Sequence, residues 1–178
     1  MKAGGGKAKG SGFERDVCRI LTEWITGETH PEIFWRSANS GAKATMDRRV
    51  GRQAKMHGDL VAVRPEGEEL MKHVIIECKF YKQGSFMEFF NEKSQLRSWW
   101  TQATHDATVS GKTPVLIFKF NRSPIFIAST IYFTESIIRW WPMLSSEERS
   151  VHFTVLSQFI GSNSWESVKK KLNTGEWF

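Results

Sequence analysis

A single α/β domain with a mixed central β-sheet flanked by helices is the fold class this sequence predicts, on three observations. Apolar residues recur at three- and four-residue spacing through Phe13, Val17, Ile20, Leu21, Trp24 and Ile25, the pattern of an amphipathic helix that stops near Gly27. Residues 58–80, GDLVAVRPEGEELMKHVIIECKF, read as two strands of a hairpin joined through PEGEE, where Pro65 and Gly67 punctuate a turn. Residues 86–109 read as a long helix with an aromatic stripe, followed by two β-rich runs, VLIFKFN and IFIAS, at hairpin spacing. Helices alternating with strand pairs in this way build a sheet covered by helices.

The 178 residues suit one domain with a substantial core. We expect a flexible basic tail over 1–12, a core unit over 13–129 and a C-terminal extension over 130–178 packed on the same domain. A formal charge of +6 and a pI near 9.4 favour a polyanionic partner, although a merely soluble basic protein has the same totals. Cys18 and Cys78 form no CxxC or Cys/His cluster, so neither a zinc site nor a disulfide framework is indicated. No apolar run reaches membrane-spanning length and the amino terminus MKAGGGKAKGSG has no signal-peptide character, so a cytoplasmic protein is expected.

In chain order, the first helix carries Glu14 at the amino-terminal end of its apolar stripe. Favourable placement near the positive end of the helix dipole is the ordinary reason for such a residue. Facing the core, it also comes within reach of the charges on the hairpin. The segment EIFWRSA, residues 32–38, is a short strand that includes Arg36. The stretch after it holds Lys43, Arg48, Arg49, Arg52 and Lys55 against only Asp47. Charge runs of this kind are usually solvated loops, but this one ends just before Asp59 and suits a loop that tracks phosphates.

Of the stripe over 86–109, Phe86, Phe89, Phe90, Leu96, Trp99, Trp100 and Ala103 supply the apolar face, for the sheet or for a subunit contact. Beyond residue 130, IIRWWPML looks helical up to Pro142, VHFTVLSQFI looks strand-like, and SWESVKKKL opens a helix with Ser164 as its cap. The tryptophans Trp140, Trp141, Trp165 and Trp177 are dense enough to cover the core or a dimer surface.

Chemistry concentrates in residues 58–80. In HVIIECKF, alternation turns Val74, Ile76 and Cys78 one way and Ile75, Glu77 and Lys79 the other. Buried charges on so apolar a strand need compensation. Neighbours two apart on a strand rarely form a tight ion pair, and a divalent metal held by Asp59 and Glu77 compensates them better.

A helix with Glu14, then Gly58-Asp59, then Glu77-Cys78-Lys79, resembles the PD-(D/E)xK nuclease superfamily and its restriction-endonuclease-like fold. Within it, KGSGFERDVCRIL, FWRSANSG, HGDLVAV with VIIECKF, and GKTPVLIFKF are similar to parts of the archaeal-type Holliday junction resolvases, over roughly residues 7–129. The basic insertion around 41–57 and the chain beyond 130 depart from that pattern. The resemblance implies a Mg²⁺-dependent endonuclease, with Mn²⁺ able to substitute, that cuts four-way DNA junctions as a homodimer. It makes Glu14, Asp59, Glu77 and Lys79 catalytic. Asp59, Glu77 and the Cys78 backbone carbonyl become metal ligands, with Glu14 binding directly or through water. Arg15, Arg36, Ser37 and Ser40 match positions near DNA; the basic loop of Lys43, Arg48, Arg49, Arg52 and Lys55 adds to these on its own charge. The protein would then lie at the nucleoid through its DNA. A restriction, repair or recombination nuclease acting on duplex or branched DNA keeps the same chemistry, and an inactive DNA-binding module keeps only the fold.

Overall fold

The computed structural model describes residues 5–37, 58–85, 87–88, 91, 94–131, 138–140 and 151–174. The first helix, α1, runs over Gly5–Thr26 and so begins earlier than the apolar spacing from Phe13 predicts. Phe13, Val17, Cys18 and Leu21 are its buried stripe. Two short strands follow, β1 over Phe34–Arg36 and β2 over Leu60–Ala62, which pair antiparallel with Arg36 opposite Leu60.

The expected hairpin is not formed. PEGEELMKH folds as a helix, α2 over Pro65–His73, so β2 leaves toward β1 and the strand β3, Val74–Tyr81, starts afresh. The physical reason lies in the same residues that suggested a turn. Proline at the start of a helix loses nothing, and Glu66 and Glu68 in the first turn with Lys72 and His73 in the last all complement the helix dipole. The buried Leu70 then anchors the helix.

From β3 the chain enters α3 over Gln95–Ser110, capped by the Ser94 hydroxyl, which accepts from Arg97 N–H at 3.2 Å. The expected helix from residue 86 is therefore shorter, and Phe86, Phe89 and Phe90 lie outside the described residues. Two strands come next, β4 over Thr113–Phe120 and β5 over Ile125–Ser129, an antiparallel hairpin as the sequence predicts. β4 lies parallel to β3, with Glu77 beside Leu116 and Lys79 beside Phe118.

Residues after 130 extend the same sheet. β6 over Ile138–Trp140, where a helix was expected, pairs antiparallel with β7 over Val151–Val155, and β7 pairs antiparallel with β5. The strand-like run VHFTVLSQFI turns helical after Val155, giving α4 over Leu156–Ser162, because Leu156 and Phe159 both find the core at three-residue spacing. The last helix, α5 over Trp165–Thr174, carries the expected cap: Ser164 Oγ accepts from Ser167 N–H at 3.3 Å.

The result is a mixed five-stranded sheet in the order β3-β4-β5-β7-β6, with helices on both faces and a separate β1-β2 pair. On one face α1, α2, α4 and α5 cover Val74, Ile76, Cys78, Val115 and Ile117. On the other, α3 covers Leu116, Phe118 and Phe120 through Trp99, Trp100 and Ala103. Trp165 is not a surface tryptophan: it is buried against Trp24 of α1 with ring centroids 5.5 Å apart, and Trp24 Nε1 donates to the Asn163 carbonyl at 2.7 Å. Trp141 and Trp177 lie outside the described residues. No helix among the described residues is long and apolar enough to cross a membrane.

Candidate active site

The site forms along the edge of β3 that β4 leaves open. Gly58 brings the chain there. Its φ of +89° is one that side chains disfavour, and a Cβ on it would stand 3.0 Å from Ile75 Cγ2 and 3.1 Å from the Ile76 carbonyl. Ser37, just after β1, clasps the same turn: its N–H donates to the Asp59 carbonyl at 2.7 Å and its hydroxyl to the Gly58 carbonyl at 2.9 Å. Asp59 N–H donates to the Ile76 carbonyl at 2.8 Å, and Asp59 Oδ2 accepts from Cys78 N–H at 2.8 Å. The N–H and C=O of one strand residue project to the same edge. Cys78 therefore turns its carbonyl, like its N–H, toward Asp59 and away from β4.

Glu77 and Lys79 stand on the face of β3 turned to α3. Lys79 Nζ donates to Glu77 Oε1, and Gln102 Nε2 of α3 donates to the same oxygen at 2.9 Å. The Glu–Lys pair that strand geometry disfavours is thus made, with Glu77 buried and Lys79 half-buried. A helix amide completes it, and that partner is what the two-apart argument omitted.

Burial pushes the Asp59 carboxyl up to about 7 from an ordinary 3.8, and the Glu77 charge adds to the rise against the Cys78 N–H and Lys79, which oppose it. Burial also raises Glu77; Lys79 opposes, while the charges of Asp106 and Glu14 reinforce it. For Lys79 burial alone would lower the ammonium, but Glu77 and Asp59 together outweigh it and the net direction is up. Burial disfavours the charge of both carboxylates, so positive charge brought near them would be stabilised.

Glu14 is buried on α1, and its charge is felt at both Asp59 and Glu77. Its Oε2 accepts from Arg36 Nε, so these two predicted residues meet each other. Among the described residues, no group of three or more His, Cys, Asp or Glu side chains stands close enough to hold a metal ion. The donor set that is present still suits Mg²⁺, a hard cation that commonly takes one or two carboxylates, with water and substrate phosphate completing its octahedron. Asp59, Glu77 and the Cys78 carbonyl supply oxygen donors of that kind.

Of the residues expected near DNA, Arg15 is exposed on α1, whereas Ser37 is buried and holds the Gly58–Asp59 turn. Ser40, Lys43, Arg48, Arg49, Arg52 and Lys55 lie outside the described residues. Two residues of the site were missed from sequence, Gln102 and Asp106. They sit four apart on α3, flanking the buried Trp99, Ala103 and Ala107, and that polar pair beside an apolar stripe was the available signal.

A model of the family described as "phage putative PDDEXK endonuclease" matches residues 5–158, a span that contains every residue of this site. No curated protein and no solved structure matches the chain.

Proposed function

The chain belongs to the phage PDDEXK endonuclease family, and from that premise we propose that it is a Mg²⁺-dependent, structure-selective DNA endonuclease whose leading substrate is the four-way junction. The observation that supports the reading is that β3 carries the Glu77–Lys79 pair on one face and holds Asp59 through the Cys78 N–H at its open edge, with Asp59 within range of both charges. In this reading Asp59, Glu77 and the Cys78 carbonyl hold Mg²⁺ or Mn²⁺, and Glu14 joins directly or through water. Bound there, the ion supplies Lewis acidity toward the phosphodiester and a lower pKa for an attacking water.

The chain's own groups do the rest. Gln102 and Lys79 fix the Glu77 carboxylate from two directions, so the oxygen they share cannot rotate away. Lys79, half-exposed beside Glu77, orients the incoming water and steadies the charge that builds on the phosphate. Asp59 would hold the ion as its carboxylate, which the Cys78 N–H keeps in place. Ser37 and Gly58 keep that carboxylate at the strand edge.

Junction cleavage rests on the likeness of the first helix, the Arg36-Ser37 segment and the GD…ECK pair to junction resolvases. A junction offers two symmetry-related strands, which a two-fold dimer matches with two sites. The basic loop of Lys43, Arg48, Arg49, Arg52 and Lys55, with Arg15, supplies phosphate contacts. The test is a cleavage panel of four-way junction, flap, matched duplex and single strand, each with Mg²⁺ and with chelator. Metal-dependent cutting that favours the junction is expected. Equal rates on junction and duplex defeat the junction claim while keeping the nuclease, and no cutting of any DNA defeats both.

A further inference from the structure

Glu77 and Lys79 are not the last residues on their face of β3. Tyr81 follows Lys79 by two positions and ends the strand. The α3 contacts fix all three on one face: Gln102 meets Glu77, and Trp99, one turn earlier, meets Tyr81 edge-on with centroids 5.9 Å apart and planes at 70°. Trp99 is itself stacked on Phe120 at 6.3 Å, and Phe120 is the residue of β4 that lies beside Tyr81. The chain then closes over this stack. Gly84 has φ of +149°, and a Cβ there would collide with the Phe120 ring, so only a glycine lets the segment after β3 lie so close.

Tyr81 therefore rests on aromatic rings that are fixed from behind, yet it is 50% exposed. The ring is held at the surface on the face of β3 that carries Glu77 and Lys79. Strand geometry gives the distance. At about 3.3 Å per residue, the Tyr81 Cα lies roughly 6.6 Å along β3 from that of Lys79, a backbone spacing comparable with the step between neighbouring phosphates on one DNA strand.

We propose that Tyr81 is a substrate-contact residue whose hydroxyl donates to the phosphate next to the scissile one, with Trp99 holding its ring in position. The inference rests on the nuclease reading above. Phosphate contacts from neutral donors set register and orientation, and they release no counterion, so they leave the salt dependence of binding unchanged.

Tyr81→Phe tests this, because the ring and its packing on Trp99 remain. The substrate is the DNA that the wild type cuts best, intact or with one neutral methylphosphonate immediately 5′ or 3′ of the cut. On intact DNA the variant is expected to raise KM about fivefold, the effect of one lost hydrogen bond, with kcat and the salt slope unchanged. A methylphosphonate on one side should cost the wild type more than it costs Tyr81→Phe, because both lose the phosphate charge and only the wild type loses the hydroxyl contact. If the variant matches the wild type on intact DNA, or if both backbone changes cost both proteins equally, the Tyr81 contact is wrong and the nuclease reading stands. A wild type that neither binds nor cuts DNA overturns the nuclease reading and this contact with it.

Discussion

Desolvation, reinforced by the Glu77 charge, pushes the carboxyl of the half-buried Asp59 up to about 7 from an ordinary 3.8. Between those values the folded chain binds a proton that the unfolded chain has released. Stability therefore falls as pH rises through that window, by a few kcal/mol in total, and levels off above it. In chelator, the wild type should melt several degrees lower at pH 8 than at pH 5, and Asp59→Asn should flatten much of that slope. Glu77, raised in the same direction, keeps some slope in the variant. Thermal melts across that range check it, and a variant as pH-dependent as the wild type would show that Asp59 does not carry the cost. At this scale the sequence was informative where a rule was broken: charges alternating into an apolar strand are conspicuous. Gln102 and Asp106 were not, because polar residues on a helix flank look the same whether they face solvent or a buried carboxylate.

Among the elements, the least legible was α2. Pro65, Gly67 and a run of glutamates serve a turn or a helix start equally well, and what decides is the burial of Leu70, a tertiary fact. The consequence for the site is large. With a helix between them, β2 and β3 cannot form a tight hairpin, so Asp59 reaches β3 through the Gly58 turn and two hydrogen bonds rather than through a ladder. Lys72 is exposed in the last turn of α2 and pairs with Glu69 at the surface, so Lys72→Pro removes no buried side-chain packing. It should nevertheless cost about 3 kcal/mol, because proline inside a helix loses a hydrogen bond and clashes with the preceding turn. Chemical denaturation measures this; a cost near zero would mean that residues 65–73 behave as a turn. The β4–β5 hairpin and α5 were readable because their signals are local, two apolar runs at hairpin spacing and a serine cap. β6 was not, since IIRWW carries no period that separates strand from helix.

For the whole molecule, the described residues 138–140 and 151–174 supply strands to the sheet and side chains to the core. β7 covers the edge of β5, and Leu156, Phe159, Trp165, Val168 and Leu172 complete the layer over α1. A chain ended at Ser129 should lose cooperative unfolding, because a domain's net stability is only about 5–15 kcal/mol and this truncation exposes both a strand edge and several large apolar side chains. A sharp transition at the full-length midpoint would instead make residues 1–129 an independent domain. Around β3, α1, the β1–β2 pair and α3 each deliver a charged or polar group, and in the proposed function these groups serve one site. Cleavage by Glu77→Gln with Mg²⁺, measured beside its DNA binding, tests that claim most directly. Glutamine keeps an oxygen for Lys79 and Gln102 but no charge for a metal, so cleavage should fall about a hundredfold or more while binding is retained. A Glu77→Gln protein that cuts DNA at the wild-type rate would contradict the assignment of this site.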